Sequence, residues 1–431
     1  MTNHVIHNGD SAEILKTLPE NSVDAVVTDP PAAISFMGKK WDSDKGGRDQ
    51  WIAWLRGIMA ESLRCLKPGG HALVWAIPRT SHYTATALED AGFEVRDFIV
   101  HLQSQGFPKS MNIGKAIDEH LGLDREVVGL RPDAAKLNKS VQEAPGGWVT
   151  SHRDPNVTAP SSDEAKRWEG WGSALKPSAE FWILCRKPLA EKTLVKNVLE
   201  WGAGGLNIEV SRMPTTENLN GGAYAKTITE RTDGWGGMTR GGAGEYQQPT
   251  GRFPSNCVFS HSPDCGDECA DGCPVKSLDE QSGTLKSGAQ GFKKATSKGH
   301  QANAYGKESR PPGTPSIAYA DQGGASRFYK CLDADPFVYQ AKSPKSEKNE
   351  GIDIPNDHPT VKSVGLCEYL IKLITPPGGT VLDPFAGSGS TGVAAVKNGF
   401  KFVGVEMEPH YYEICCKRVS HASRECPSSS G

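Results

Sequence analysis

The sequence predicts an α/β fold in which strands from both ends of the chain form one parallel sheet. Two observations lead to this prediction. A complete unit of strand, glycine turn, helix and strand occupies residues 380–406, and apolar strands alternate with helices over residues 4–102. Too little chain follows residue 380 to complete a sheet. The missing strands must therefore come from upstream.

The unit at residues 380–406 has the pattern of a nucleoside-binding turn. A strand at Val381 and Leu382 is followed by a GxGxxG spacing, a helix over about 390–397 and a second strand over 402–405 that reaches Glu406. The three glycines are Gly387, Gly389 and Gly392. Glycines at this spacing let the backbone approach a ligand, and an acid about twenty residues later can accept both ribose hydroxyls. The alternative is a glycine-rich turn without a ligand.

The first strand and helix of the chain lead to a second candidate motif. We predict a strand over 4–7, a helix over 11–18 capped by Asp10 or Ser11, and a strand over 23–28. That strand runs directly into Asp29-Pro30-Pro31. Two successive prolines stiffen the turn and remove two backbone donors. The acid then lies at the carboxyl end of a strand, where open α/β sheets bind ligands.

The chemistry that suits this motif is the capture of an exocyclic amino group. Its two N–H bonds can go to the Asp29 carboxylate and the Pro30 carbonyl, which directs the nitrogen lone pair at an electrophile on the opposite side. Pro31 completes the rigid turn. The alternative for Asp29 is a helix-capping acid in a rigid loop.

The remaining core elements alternate in the same way. Predicted helices cover 49–66, 81–91, 190–199, 361–374 and 409–419, and predicted strands cover 71–77, 93–102 and 181–185. We divide the chain accordingly. The predicted segments are one half of the core (1–130), an insertion (131–174), a return to the core (175–212), a loop-rich region (213–340), a linker (341–354), the nucleoside-binding half of the core (355–420) and a disordered tail (421–431).

A cluster of metal-ligand residues lies within the loop-rich region. Its members recur at intervals of four and are Cys257, His261, Cys265, Cys269 and Cys273. This region is rich in Gly, Ser, Thr and Lys and poor in long apolar runs, so a structural zinc could substitute for a hydrophobic core. We predict zinc on His261, Cys265, Cys269 and Cys273, with Cys257 as an alternative ligand. A solvated acidic loop is the competing interpretation.

Three motifs together resemble one enzyme family. Asp29-Pro30-Pro31 near the N-terminus, VLDPFAGSGSTG at 381–392 and DHPTVKS at 357–363 are similar to the amino-group DNA methyltransferases of the permuted β class, in particular their phage and prophage branch. The similarity covers roughly residues 1–130 and 355–418. It implies a circularly permuted, Rossmann-like S-adenosylmethionine methyltransferase sheet with a loop-rich target-recognition insertion.

The resemblance also assigns roles to individual residues. Asp29, Pro30 and Pro31 would be catalytic, and the recognition region would be 213–340. The S-adenosylmethionine site would be formed by Asp10, Lys362, Asp383, Phe385, Gly387, Gly389 and Glu406. The expected reaction is transfer of a methyl group to adenine N6 in double-stranded DNA. Cytosine N4 is the runner-up target, because an acid before the two prolines resembles the adenine subset, whereas the cytosine subset usually has Ser there.

One position departs from the family pattern. An aromatic residue usually follows the two prolines and stacks on the extruded base, but here the residue is Ala32. Phe36 and Trp41 are near enough in sequence to replace that ring. The alternatives are a core Phe and a surface Trp, and a catalytically impaired DNA-binding relative.

Composition adds fewer constraints. The 431 residues carry a net charge of −3, so DNA contact would depend on local basic patches such as the Lys-rich stretch 286–310. No apolar run approaches eighteen residues and the N-terminus lacks a signal pattern, so we expect a cytoplasmic protein with no membrane partner. Eleven cysteines favour thiols or metal ligands over disulfides. A homodimer is an alternative to a monomer.

Overall fold

The computed structural model contains a nine-stranded sheet within the residues it describes. Those residues are 3–35, 38, 40–103, 110–130, 155–215, 249–262, 265–266, 268–271, 273–286, 291–292, 315–316, 322–332 and 349–425. The strand order is β1-β17-β16-β2-β3-β7-β4-β10-β15. These strands are β1 (His4–Asn8), β2 (Val23–Thr28), β3 (Leu66–Ala76), β4 (Glu94–Leu102), β7 (Ala179–Arg186), β10 (Cys257–Ser260), β15 (Lys330–Leu332), β16 (Thr380–Asp383) and β17 (Lys401–Glu406).

Every strand of this sheet except β7 runs in one direction, because β7 is antiparallel to β3 and β4 and all other neighbours are parallel. Short two-stranded pairs complete the described strands: β5 (Val127–Leu130), β6 (Asn156–Thr158), β8 (Met213–Pro214), β9 (Gly251–Arg252), β11 (Leu285–Lys286), β12 (Gly291–Phe292), β13 (Pro315–Ser316) and β14 (Gln322–Gly323). The prediction of an α/β fold whose sheet takes strands from both chain ends is confirmed, but the sheet is mostly rather than wholly parallel, because β7 is antiparallel to both of its neighbours.

Helices cover both faces of the large sheet. The described helices of the unit that contains this sheet are α1 (Ser11–Thr17), α2 (Arg48–Cys65), α3 (Ser81–Asp90), α6 (Leu194–Trp201), α7 (Ile208–Ser211), α8 (Pro274–Ser282), α9 (Val364–Ile374), α10 (Ser390–Lys397) and α11 (Pro409–Glu425), whereas α4 (Ile113–His120) and α5 (Asp163–Arg167) belong to a second compact unit. Strand alternation separates two apolar cores, since Ala25 and Val27 of β2 pack with α9 to α11 while Val26 packs with α1 to α3. Among the described residues, no helix is both long and apolar enough to cross a membrane.

Residues 106–177 form a second compact unit, separate from the unit of 1–105 and 178–431. Within it, the buried Asp118 carboxylate accepts hydrogen bonds from the amides of Ser161 and Ser162, and Arg125 Nη1 lies 3.2 Å from Asp118 Oδ2. The unit therefore begins before the predicted insertion boundary at 131, because α4 belongs to it. Residues 131–154, the first part of the predicted insertion, lie outside the described residues.

Several element boundaries differ from prediction for identifiable reasons. The segment Lys67-Pro68-Gly69-Gly70 follows the end of α2 but belongs to strand β3. The register between β3 and β2 shifts between Val23 and Ala25, because Pro68 has no N–H to donate to the neighbouring strand. Helix α9 starts at Val364 rather than 361, because the Ser363 hydroxyl accepts the Leu366 amide at 3.3 Å.

The C-terminal prediction also needs correction. Helix α11 continues to Glu425, so residues 421–425 of the predicted disordered tail are helical, and Val419 and Ala422 are buried on its inner side. Residues 426–431 lie outside the described residues. The predicted linker 341–354 is described from residue 349, where Glu350 pairs with Lys397 and Asp353 pairs with Lys417.

The loop-rich region 213–340 supplies two strands that sequence analysis did not place. Strand β10 pairs with β4 and β15 pairs with β10, which extends the main sheet at one edge. Both strands are too short for a periodic signal to reveal them. Most of the Lys-rich stretch 286–310 lies outside the described residues.

Candidate functional site

The two predicted motifs meet at the carboxyl edge of the sheet. Strand β2 pairs with β16, with Ala25 opposite Val381. The Thr28 hydroxyl at the end of β2 donates a hydrogen bond of 2.6 Å to the Asp383 carboxylate at the end of β16. The turn that begins at Asp29 and the glycine turn that begins after Asp383 are therefore neighbours. Strand pairing joins residues that lie 355 positions apart in the chain.

Asp29 forms an ion pair at this edge. Its Oδ2 atom lies 2.9 Å from Nζ of Lys362, and the two side chains keep only 21% and 8% of their surface exposed. Burial raises the pKa of Asp29 to about 6, and the nearby Lys362 ammonium opposes that rise. Lys362, predicted for the donor site, thus contacts the predicted catalytic acid. The carboxylate keeps a second oxygen with which it can accept a hydrogen bond.

A polar network from neighbouring strands surrounds this pair. The Lys362 ammonium lies 3.8 Å from the centroid of the Trp75 ring, whose indole N–H donates to Glu180 at 2.8 Å. Gln103 donates to the other oxygen of Glu180 at 3.1 Å. Sequence analysis missed Trp75 and Glu180, because only the pairing of β3, β7 and β4 brings them to the site.

The backbone after Pro31 is held by Asp42. Asp42 Oδ1 accepts the amides of Ala32 at 2.6 Å and Ala33 at 3.1 Å, and the Thr80 hydroxyl donates to the Ala32 carbonyl at 3.0 Å. Ala33 has a φ of 61°, a left-handed conformation that costs energy for a residue with a Cβ. The buried Asp42 therefore fixes a strained turn beside Asp29. Sequence analysis did not identify Asp42 or Thr80.

The aromatic replacements for Ala32 have different outcomes. Phe36 lies outside the described residues. Trp41 is half-buried and stacks on His358, with ring centroids 6.4 Å apart and planes 17° apart. His358 in turn contacts Tyr411 edge to face at 4.5 Å. Trp41 is thereby held near the glycine turn, since a Cβ added to Gly387 would lie 3.1 Å from His358 Nε2.

The glycine turn has the geometry that its spacing predicts. Gly387 has a φ of 53° and Gly389 has a φ of 85°, values that residues with a Cβ rarely adopt. Added Cβ atoms would lie 2.8 Å from Cys415 Sγ at Gly389 and 2.6 Å from the Phe402 ring at Gly392. These glycines let the turn and α10 pack closely on α11 and β17. Arg418 donates to the Ser388 carbonyl at 2.6 Å and supports the same turn.

Glu406 closes the far side of the turn. Its carboxylate accepts the Gly387 amide and the Glu408 amide, each at 2.8 Å, and burial raises its pKa. Asp10 lies beyond it as the exposed N-cap of α1 and accepts the Ala12 amide at 2.8 Å. The Gly9 amide donates to the Glu406 carbonyl at 3.0 Å, which joins the ends of β1 and β17.

The other two predicted donor-site residues face inward. Asp383 is buried and accepts from Thr28 and from the Phe385 amide at 3.0 Å, and burial raises its pKa to about 6. The Phe385 ring is half-buried, with its centroid 5.7 Å from that of Trp54. Both residues hold the glycine turn in place. Their contact with a ligand stays a prediction.

Four of the five predicted metal-ligand residues converge at another place. Ligand atoms of His261, Cys265, Cys269 and Cys273 all lie within 4.8 Å of one another. Cys257 is outside this group and packs in the small apolar cluster around Phe259. The alternative ligand is thus not brought to the cluster.

The sequence of this chain is similar to that of known DNA methylases. The family model described as DNA methylase matches residues 23–417, which span both motifs. Among curated relatives, DNA adenine methyltransferase YhdJ of Escherichia coli is 40% identical over 72 residues, covering 17% of this chain and 24% of the relative. Type II methyltransferase M2.DpnII of Streptococcus pneumoniae is 45% identical over 62 residues, covering 14% and 23%. The match thus spans about a quarter of each relative's length.

Solved structures with similar folds share little sequence with this chain. The M1.HpyAVI complex with SAM has 17% identity and a TM-score of 0.37, covering 96% of this chain and 98% of that one. The PvuII DNA methyltransferase, described as cytosine-N4-specific, has 12% identity and a TM-score of 0.40, covering 97% and 86%. Because the family model covers most of the sequence, including both motifs of the carboxyl edge, this chain belongs to the N6/N4 DNA methylase family.

Proposed function

We propose that this protein transfers a methyl group from S-adenosylmethionine to adenine N6 in double-stranded DNA, as an enzyme of the permuted β class. One observation carries the proposal. Asp29, suited to hold an exocyclic amino group, follows the strand adjacent to the one that leads into the glycine turn, and the Thr28–Asp383 hydrogen bond of 2.6 Å joins the two. The carboxylate that would bind the target amino group and the glycine turn that would bind the nucleoside are thus neighbours.

The residues around the turn fit the donor. The left-handed Gly387 and Gly389 leave room for close approach, and the Glu406 carboxylate, fixed by two amides, keeps lone pairs for two ribose hydroxyls. The exposed Asp10 directly follows Gly9, whose amide donates to the Glu406 carbonyl, and it suits the adenine end. When bound, S-adenosylmethionine supplies an electrophilic methyl group.

Residues of this chain would bind and orient the target amine. The free oxygen of Asp29 and the Pro30 carbonyl would accept the two N–H bonds of the target amine and orient its lone pair toward the methyl group. Lys362, 2.9 Å away, favours the ionised form of Asp29. Methyl transfer would leave the amine with one proton too many, and Asp29 and the Pro30 carbonyl would hold the amine in place until that proton passes to water.

Basic and aromatic side chains lie close to the Asp29 turn and suit a DNA backbone. A cleft beside Ala33 and Thr80 is lined by Arg48, Arg79 and Tyr83. Arginines bind phosphate oxygens, and an overall charge of −3 makes such local groups necessary. DNA as the substrate would place the enzyme in the cytoplasm.

Two other functions are supported by specific observations. Cytosine N4 is the alternative target, since the matching family model covers both N6 and N4 methylases. A catalytically impaired DNA-binding protein is the second, because Ala32 supplies no ring and its backbone is fully engaged by Asp42 and Thr80.

Mass spectrometry of nucleosides from DNA incubated with the protein and S-adenosylmethionine tests these functions. We expect N6-methyladenine, and its loss in Asp29→Ala with donor binding retained in calorimetry. N4-methylcytosine instead would establish the alternative target. If the parent gives neither product while Ala32→Tyr methylates, the chain is the impaired relative and the proposal fails.

A further inference from the structure

The cluster at the carboxyl end of β10 has the composition of a metal site. His261 directly follows β10, Cys265 and Cys269 lie in the next loop, and Cys273 directly precedes α8. One ligand atom from each residue lies within 4.8 Å of all the others. Three thiols and one imidazole are a ligand set that zinc prefers in structural sites.

The spacing of the ligand atoms fits a tetrahedral ion. The His261 Nδ1 atom lies 3.4 Å from Cys269 Sγ and 3.6 Å from Cys273 Sγ. Tetrahedral zinc with bonds of about 2.3 Å to sulfur and about 2.05 Å to nitrogen separates those ligands by about 3.6 Å. Thiol and imidazole atoms in the cluster therefore already stand at the separation that a shared ion would require.

We propose that His261, Cys265, Cys269 and Cys273 bind one zinc ion and that this ion is structural. Four protein ligands fill a tetrahedral shell and leave no open position for water or substrate, which distinguishes structural from catalytic zinc. Cys257, at the start of β10, is not a ligand, because it is outside the converging group.

The apolar support around the cluster is small, which gives the ion a role in folding. Among the described residues, this satellite core around Phe259 has only three buried members, Phe259, Cys273 and Val275. The ion joins the end of β10 to the start of α8. Helix α8 then holds the segment before β15, since Asp279 accepts the Ser326 amide at 2.7 Å and its hydroxyl at 2.6 Å. Zinc thus stabilises both strands that extend the sheet edge.

The position of the ion separates it from the proposed methyl transfer. Strand β10 lies four strands from β2 in the order β2-β3-β7-β4-β10. At about 4.8 Å per strand, that is on the order of 19 Å across the sheet. Because β10 and β2 point the same way, the cluster and Asp29 lie at the same edge. The ion would support the flank of that edge without touching the reacting atoms.

Elemental analysis of the full-length protein tests the proposal. We expect about one zinc per chain, reduced at least tenfold in Cys265→Ser and in Cys269→Ser. Cys257→Ser is the matched control, since Cys257 belongs to the same satellite core but lies outside the ligand group, and it should keep its zinc. Chelation of the parent should lower its melting temperature, and this shift should be absent in Cys269→Ser.

A second measurement remains informative if the variants fold poorly. Cobalt(II) titrated into metal-free parent protein should saturate at one equivalent with the visible bands of a tetrahedral thiolate site. Parent protein without stoichiometric zinc, a disulfide between two of the four residues, or equal zinc loss in Cys257→Ser would each overturn the proposal. Zinc content is independent of methylation, so failure of the proposed function would leave this result unchanged.

Discussion

At the scale of single residues, the protonation of Asp29 controls what the site can do. An unperturbed aspartate is ionised well below neutral pH, whereas burial raises the pKa of Asp29 to about 6. The carboxylate is therefore present above about pH 6 and is lost as the pH falls through that value. The ionised carboxylate accepts an amine N–H more strongly than the protonated acid does, so kcat/KM for methylation should fall on the acid side near pH 6.

Lys362→Met should move this acid limb upward. The Lys362 ammonium lowers the pKa of Asp29, so its removal raises that pKa further above 6 and protonates more of the acid at pH 7. We expect activity at pH 7 to fall and to recover in part at higher pH. The measurement is the pH profile of kcat/KM, together with the donor Kd at each pH.

Lys372→Met is the matched control for this substitution. It lies on the same helix, α9, but forms an exposed pair with Glu368 at 3.8 Å. Its profile should match that of the parent. A Lys362→Met profile with an unchanged acid limb would mean that the ion pair does not set the pKa of Asp29.

Single residues also show which parts of the candidate site could be predicted from the sequence. Asp29 and Glu406 could be predicted, because each follows an apolar strand within a recognisable motif. Asp42 and Glu180 could not, since their importance depends on contacts made through space. The role of the Asp42 carboxylate depends on its hydrogen bonds from two amides that lie ten and nine positions earlier in the chain.

At the scale of elements, the glycine turn depends on close packing as well as on backbone freedom. Gly389 has a φ of 85°, and a Cβ there would lie 2.8 Å from Cys415 Sγ and 3.2 Å from its Cα. Because Cys415 is on α11, a larger residue would push this helix away from the turn. The position therefore requires glycine for two reasons.

Gly389→Ala and Gly399→Ala together separate these two reasons. Gly399 has a φ of 77°, but a Cβ there would meet nothing within 4 Å. Both variants carry the left-handed strain, and only Gly389→Ala adds overpacking, which costs about 1–3 kcal/mol. We expect Gly389→Ala to unfold at lower denaturant and to bind S-adenosylmethionine more weakly than Gly399→Ala. Equal stability and affinity would show that the contact with α11 is unimportant.

Element boundaries were predictable where local chemistry dominates. The glycine turn and helix α10 match the predicted range of 390–397, because the flanking glycines have distinctive conformations. Strand β3 began earlier than predicted, since pairing with β2 overrides the tendency of Lys67-Pro68-Gly69-Gly70 to stop an element. Strands β10 and β15 have four and three residues, too few for alternation to reveal them.

At the scale of the whole molecule, the two ends of the chain share one sheet. Strand β1 pairs with β17, and β2 lies between β16 and β3. The helices α9, α10 and α11 form a core with residues of β2, β3, β4 and β7. Neither end therefore contains a complete core, so residues 1–105 of the first predicted half should fold as one unit with residues 355–420.

A chain that ends at residue 354 should lose cooperative unfolding and donor binding. It lacks β16 and β17, so β2 loses one neighbour and, within the described part of the chain, β1 loses its partner strand. Asp29 also loses Lys362, and Thr28 loses Asp383. A chain that ends at residue 425 is the control and should behave like the parent, because α11 is complete there. Circular dichroism with denaturant and calorimetry with S-adenosylmethionine would measure both properties.

Adding residues 355–431 as a separate polypeptide should restore both properties in part, because β17 can pair with β1 and β16 with β2 without a covalent link between the two pieces. If the shortened chain unfolds cooperatively at the denaturant concentration of the parent, the N-terminal part is a complete folding unit and the shared sheet does not determine stability.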